Sequence, residues 1–353
     1  MRETAKRAFV AALIVVIVVA FAIALWKLRL VIALLFLAFI IAAAMRPGID
    51  ALYRRRIPRG IGILVHYAGV AAVIGLLLWA IVPRAITQVQ DALGELPQEA
   101  RESTGFKQDI LQRVQRWLED LPSGGRLVEQ LADPAVEVGR TAFEVSLGIL
   151  FTLACAAYWI FERERAEGLV VSLLPPKRRR LVRETWELID RKLGAYVRGQ
   201  LLLIALVATV LSFIFWLIGL PFWLLIGVFA GIVEIIPVIG PLAAGTLAVG
   251  VGLTISWQLA LGAGIAVLVV RLLEDYIVIP RVLGHAVGLT PLTVLVAVAA
   301  VTILFGGFAV LLAIPLAAVV VTLIDVVLRG KAPAEEEVRA LLFPAKDAET
   351  SEG

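Results

Sequence analysis

The chain has 353 residues, of which 61% are hydrophobic and only 18% charged, with a mean hydropathy of +0.95. A soluble domain carries about a quarter charged residues, so the composition excludes an ordinary soluble fold and predicts an all-α polytopic membrane protein. The net charge of +4 comes from basic residues clustered in short loops beside apolar runs, a topology signal rather than a nucleic-acid surface.

One cysteine, Cys155, excludes an intrachain disulfide or a cysteine metal cluster, and His66 and His285 show no ligand spacing. No cofactor or metal is expected. Motifs for serine, aspartyl, metallo- or nucleotide-dependent catalysis are missing, so no enzymatic activity is expected either.

In chain order, the basic start and long apolar run of residues 1–26 read as a retained first helix rather than a signal peptide. About six clear spans follow from hydropathy, at about 8–26, 30–45, 61–82, 141–161, 195–218 and 257–279. Residues 222–256 and 291–328 are apolar but broken, the second by "FGG" at 305–307 and by Pro315. They predict two broken or re-entrant helical hairpins, though the second arm of 291–328 is long enough to span, so a true helical pair stands there too.

The 46–59 loop holds five arginines and one aspartate, and the 162–193 loop holds nine lysines and arginines. Both are expected in the cytoplasm. Segment 83–140, with seven basic and ten acidic residues, fits the outer side. In it "DILQRVQRWLEDL" spaces apolar residues for a helix, so 83–140 reads as a small helical extracytoplasmic domain, either packed on the bundle or capturing substrate. It separates a three-helix segment, 1–82, from a transport core, 141–330, that includes a cytoplasmic helical loop at 162–193. A cytoplasmic tail, 331–353, ends the chain and is polar and mobile at its end.

Parity makes 222–256 cross an even number of times. About 15 residues lie on each side of the break, reaching roughly 22–24 Å at 1.5 Å per residue. That falls short of a hydrocarbon core about 30 Å thick. A re-entrant hairpin entering from outside fits better than two full spans, and broken elements flanking a continuous helix point to a transporter binding site.

The tip of that hairpin is "EIIPVIGP". Pro237 and Pro241 lack amide protons and Gly240 permits unusual backbone angles, so one half-helix ends and another begins here. A charged Glu234 at mid-bilayer costs roughly 2.5–3.5 kcal/mol. It therefore reads either as a proton- or cation-handling group or as a structural acid beside the turn. Arg271, Glu274 and Asp275, at i, i+3 and i+4, share one helix face. They line a cavity in one reading and snorkel at the interface in the other. Asp325 reads as interfacial. Gly227 and Gly231 form a GxxxG that suits close helix packing.

Four blocks, "YVRGQLLLIAL" (196–206), "GLPFWLLIGVFAGIVEIIPVIGP" (219–241), "EDYIVIPRVLGHAVGLTPL" (274–292) and "FGGFAVLLAIPLAAVV" (305–320), occur in the order of the AI-2E family, which the chain resembles over about residues 1–330. The resemblance places the family's proline-glycine-proline turn on Pro237, Gly240 and Pro241. Its later acid and proline fall on Glu274, Asp275 and Pro280.

The resemblance implies transport across the bacterial inner membrane by a homo-oligomer. The partners it implies are the lipid bilayer and a small polar solute, a monovalent cation or a proton. Members are described as exporters of the furanone signal autoinducer-2 and as sodium(lithium)/proton antiporters, so both readings stand. A membrane scaffold acting through 83–140 is the third.

Overall fold

The computed structural model describes residues 2–102, 124–236, 239–282, 289–336 and 338. Among these the chain is entirely helical. Its elements are α1 (Arg2–Lys27), α2 (Arg29–Arg54), α3 (Arg59–Glu102), α4 (Gly124–Ser172) and α5 (Pro176–Leu217). They continue with α6 (Trp223–Val233), α7 (Ile239–Ile255), α8 (Trp257–Leu273), α9 (Ile279–Val282), α10 (Pro291–Phe305) and α11 (Val310–Val327). Six helical segments are long and apolar enough to cross a membrane: Phe9–Lys27, Arg29–Arg54, Arg59–Gln88, Gly139–Ser172, Pro176–Leu217 and Gly307–Val327.

Five of these match the expected spans, and the sixth differs. The 257–279 run is a 17-residue α-helix that gives way at Glu274 to a π-helical turn, Glu274–Val278. The long element is instead the second arm of the 291–328 region. That arm is continuous through Pro315, so Pro315 does not break it; the break lies at Gly306, whose φ of 92° favours glycine. Thr302 and Gly306 close the preceding helix by a backbone bond of 2.9 Å.

The basic loops are shorter than charge patterning predicts. Helix α2 continues through Pro47 to Arg54. A proline there frees the carbonyl four residues back, Ala43. Helix α5 comes close at this point, for a Cβ on Gly194 would sit 2.5 Å from the Ala43 oxygen. Arg198 on α5 donates to the neighbouring Ala44 carbonyl at 3.1 Å. Segment 162–193 forms the facing ends of α4 and α5, joined at residues 173–175.

Of the expected outer domain, 83–102 continues α3 and 124–140 begins α4. The helix expected at 109–121 lies outside the described residues, as do Pro237 and His285.

Helix α5 is the spine. On one side α6, α7 and α8 pack with it around Phe215, Leu220, Ile226, Ala230, Ala244, Ala248 and Ala263, each at most 2% exposed. On the other, α2, α10 and α11 meet α5 around Ala33, Ile40, Ala43, Leu193, Ala309 and Ala313. Alanines make up about half of both clusters. In lipid the apolar effect does not draw helices together, so close van der Waals approach must do so, and alanine and glycine permit it. Large apolar side chains face outward instead. Phe9, Val16 and Phe21 on α1 are more than 60% exposed, as a lipid-facing span requires.

The GxxxG of α6 packs directly on α5. A Cβ on Gly227 would lie 2.6 Å from the Ser212 Cα, and one on Gly231 would lie 2.6 Å from the Ile204 oxygen. Gly227→Ala is therefore expected to wedge the two helices apart and cost about 1–3 kcal/mol. Gly250→Ala, with nothing within 4 Å of the added carbon, is expected to be neutral. Thermal unfolding of the two purified variants checks this contrast.

Candidate functional site

Helices α6 and α7 form the arms of the broken hairpin, with 11 and 17 residues. At 1.5 Å per residue they extend roughly 16 and 26 Å. The chain enters α6 through Gly219 and Phe222, both with positive φ (74° and 56°). It leaves α7 through a one-residue corner at Ser256, whose hydroxyl caps α8 by accepting from the Leu259 amide at 3.2 Å. Gly252 makes that corner possible: a Cβ there would lie 2.6 Å from the Ala260 Cα.

These connections bring the hairpin tip to the far end of α8. The depth can be measured along α5. Gln200 donates to the Glu234 carbonyl at 3.4 Å, and α5 ends at Leu217, so the tip lies roughly 26 Å along the spine. At the tip Gly240 has no room for a side chain. A Cβ would fall 2.0 Å from the Val233 oxygen, so the two half-helices touch backbone to backbone.

Glu234 and the α8 charges, far apart in sequence, meet here. Arg271 contacts the Glu234 Oε1 at 2.8 Å, the Glu274 Oε2 at 3.3 Å and the Asp275 Oδ1 at 2.9 Å. Glu234 is 8% exposed and Glu274 2%. The second oxygen of Glu274, Oε1, is buried and has no hydrogen-bond partner. Pro241 lines a gap of ≈ 10 Å³ beside the cluster, together with Val207, Val267 and Val270.

The π turn sets this geometry. Pro280 has no amide hydrogen and crowds the carbonyl four residues before it. The ladder widens ahead of it, and the Ile279 amide reaches back five residues to the Glu274 carbonyl. Such single π turns occur often at functional sites.

The arrangement sets three carboxylates against one guanidinium. A lone arginine faces two buried carboxylates and the exposed Asp275, and the desolvation cost of the second buried charge is high. The site thus suits an additional positive charge: a proton shared among the acids or a small cation. The gap has the size of a single water, not that of an organic solute.

Of the charged groups elsewhere, the sequence reading singled out Asp325 alone; Asp190 and Lys192 escaped it. Asp190 on α5 takes Arg46 of α2 at 3.1 Å and also pairs with Arg163 of α4. Lys192, 5% exposed, contacts the Thr322 hydroxyl at 3.1 Å and Glu336 at 2.7 Å. Asp325 pairs with Arg329 and Lys331 at 2.7 and 2.6 Å. The start of the tail thus packs onto the bundle, with Pro333 buried. The signal available in sequence was only an acid or lysine inside a long helix, with nothing to name its partner.

The family model described as "AI-2E family transporter" matches residues 14–329. The chain is 27% identical to "Putative transport protein YrrI" of Bacillus subtilis, over 81% of this chain and 83% of that protein. It is 25% identical to "Putative transport protein YueF" of the same organism, over 76% and 77%. It is 26% identical to "Putative transport protein MT0215" of Mycobacterium tuberculosis, over 93% and 92%. With the family model spanning nearly the whole helical bundle, including the broken hairpin and its charged cluster, the chain belongs to the AI-2E transporter family.

Proposed function

We propose that this protein is an ion-coupled secondary transporter of the bacterial inner membrane, with both termini in the cytoplasm, and that Glu234 and Glu274 carry the coupling proton or monovalent cation. The observation behind this reading is the pair of buried carboxylates, Glu234 and Glu274, that share Arg271 with the more exposed Asp275, one oxygen of Glu274 being unpartnered. Short half-helices meeting at the tip of a deep hairpin support it, because discontinuous helices place backbone dipoles and freed carbonyls at a transport site. Glu234 sits at the end of α6, on the C-terminal, negative side of that helix dipole, which favours a cation.

The cargo we propose first is a small polar organic solute of the autoinducer-2 type, moved outward. The size of the gap supports a second reading, sodium(lithium)/proton exchange, in which the ion is itself the cargo.

Proteoliposomes carrying the purified protein separate the readings. Labelled autoinducer-2 release that depends on an imposed pH gradient supports the solute exporter. Sodium uptake against a pH gradient, without solute movement, supports the exchanger. Lack of flux for both would sink the transport proposal and favour a scaffold acting through 83–140.

A further inference from the structure

A second site lies away from the hairpin, where the basic ends of α2, α4 and α5 converge with the start of α3. A cavity of ≈ 240 Å³ opens there, lined by the four guanidinium groups of Arg46, Arg54, Arg59 and Arg163. Its volume is several times the roughly 30 Å³ share of one water. Trp159 and Tyr53 supply aromatic wall. Trp159 is fixed by an edge-on contact with Phe39 and a stack on Trp186, at 5.2 and 6.0 Å between ring centres.

The carboxylates present hold these arginines without saturating them. Asp190, 5% exposed, takes one contact from Arg46 and one from Arg163, and its other oxygen, Oδ1, is buried without a partner. Arg163 also reaches Glu167 at 3.4 Å, and Arg46 reaches Asp50 at 3.5 Å. Arg59 contacts Glu164 at 3.2 Å, but that carboxylate is 74% exposed. Arg54 has no carboxylate partner among the described residues. Each guanidinium carries five N–H donors in a planar fork, so most donors at the cavity remain free of protein acceptors. The three lining carboxylates, Asp50, Glu164 and Asp190, fall one charge short of the four arginines.

Convergent arginine forks beside an aromatic wall match a tetrahedral oxyanion, which accepts bidentate bonds. We propose that this cavity binds the phosphate group of a phosphorylated ligand, with Arg54 and Arg59 as adaptable contacts and Arg46 and Arg163 held in place by Asp190. The same chemistry is offered by a soluble phosphomonoester and by the headgroup of an anionic lipid, since basic pockets at helix ends also take lipid phosphates.

The test uses the full-length protein in nanodiscs and does not depend on flux, so it stands or falls apart from the transport proposal. In one arm, phosphatidylglycerol is mixed into phosphatidylcholine nanodiscs and retained lipid is counted by native mass spectrometry. In the other, phosphatidylcholine nanodiscs are titrated with inorganic phosphate and with glycerol phosphate, against chloride at matched ionic strength, and the part of the tryptophan fluorescence change that Trp159→Phe removes reports on the cavity. Arg54→Gln and Arg59→Gln are each expected to weaken binding about tenfold, the loss of a charge-assisted bond. Arg180→Gln, at an exposed arginine outside the cavity that pairs with Glu184, is expected to leave it unchanged. Saturable binding in the soluble arm identifies a free phosphorylated ligand; selective retention of phosphatidylglycerol identifies a lipid. Binding in neither arm, or Arg54→Gln binding like the unaltered protein, overturns the proposal.

Discussion

Glu234→Gln is expected to abolish ion-dependent flux while leaving the protein folded. Glutamine is nearly isosteric and its amide oxygen can still accept from Arg271, which sits 2.8 Å away. It cannot take up or release a proton at working pH, and it removes one of the three negative charges that attract a cation. A contact to a charged group is worth roughly 1.5–3 kcal/mol. The ion's occupancy, and with it coupled transport, is therefore expected to fall by about one to two orders of magnitude. The measurement is initial flux in proteoliposomes as a function of the imposed pH gradient, with melting temperature as the folding control. Normal flux with unchanged ion dependence would show that Glu234 only braces the turn.

The second large effect is on stability, and its sign depends on how many partners are removed. Arg271 is the cation that three carboxylates share. Arg271→Gln strands Glu234 and Glu274, both buried, without it, and breaking a buried pair by removing one side costs about 3–5 kcal/mol. A clear drop in melting temperature in detergent follows. Adding Glu234→Gln to Arg271→Gln removes one stranded charge and is expected to recover part of the loss. The pair is therefore non-additive, which a double-mutant cycle measures directly. If Arg271→Gln melted like the unaltered protein, the acids would already be neutralised without the arginine. The reading of Arg271 as their shared counter-charge would then fail, while a proton or cation held by the acids themselves would stand.

Much of this site was legible before any coordinates. Gly240 and Pro241 signal a disturbed helix, and they lie in the first turn of α7, just past the end of α6; Pro237 lies outside the described residues. Arg271, Glu274 and Asp275 fall on one helix face by spacing alone. The link between them and Glu234, 37 residues from Arg271, was not legible. It depends on the one-residue corner at Ser256 and on helices close enough to touch backbone to backbone at Gly252.

The π turn was hidden for a related reason. Pro280 signals a disturbance, but whether the ladder kinks, ends or widens is decided by the packing around it. Pro315 shows the converse: a proline that reads as a break sits buried inside a continuous helix. Packing neighbours can stabilise a helix across such a residue in a membrane.

The amino-acid sequence by itself determined that this is a helical membrane protein. It also determined where most of its spans lie and where its transport core is interrupted. Those properties follow from local quantities: hydropathy over about 20 residues, loop charge and backbone restriction by proline and glycine. The tertiary structure alone decided which charges become partners. Arg271 with Glu234, Asp190 with two arginines and Lys192 with Glu336 are contacts between residues far apart in the chain. A helix carries a charge to a face, but only its packing angle and depth against another helix decide what that charge meets.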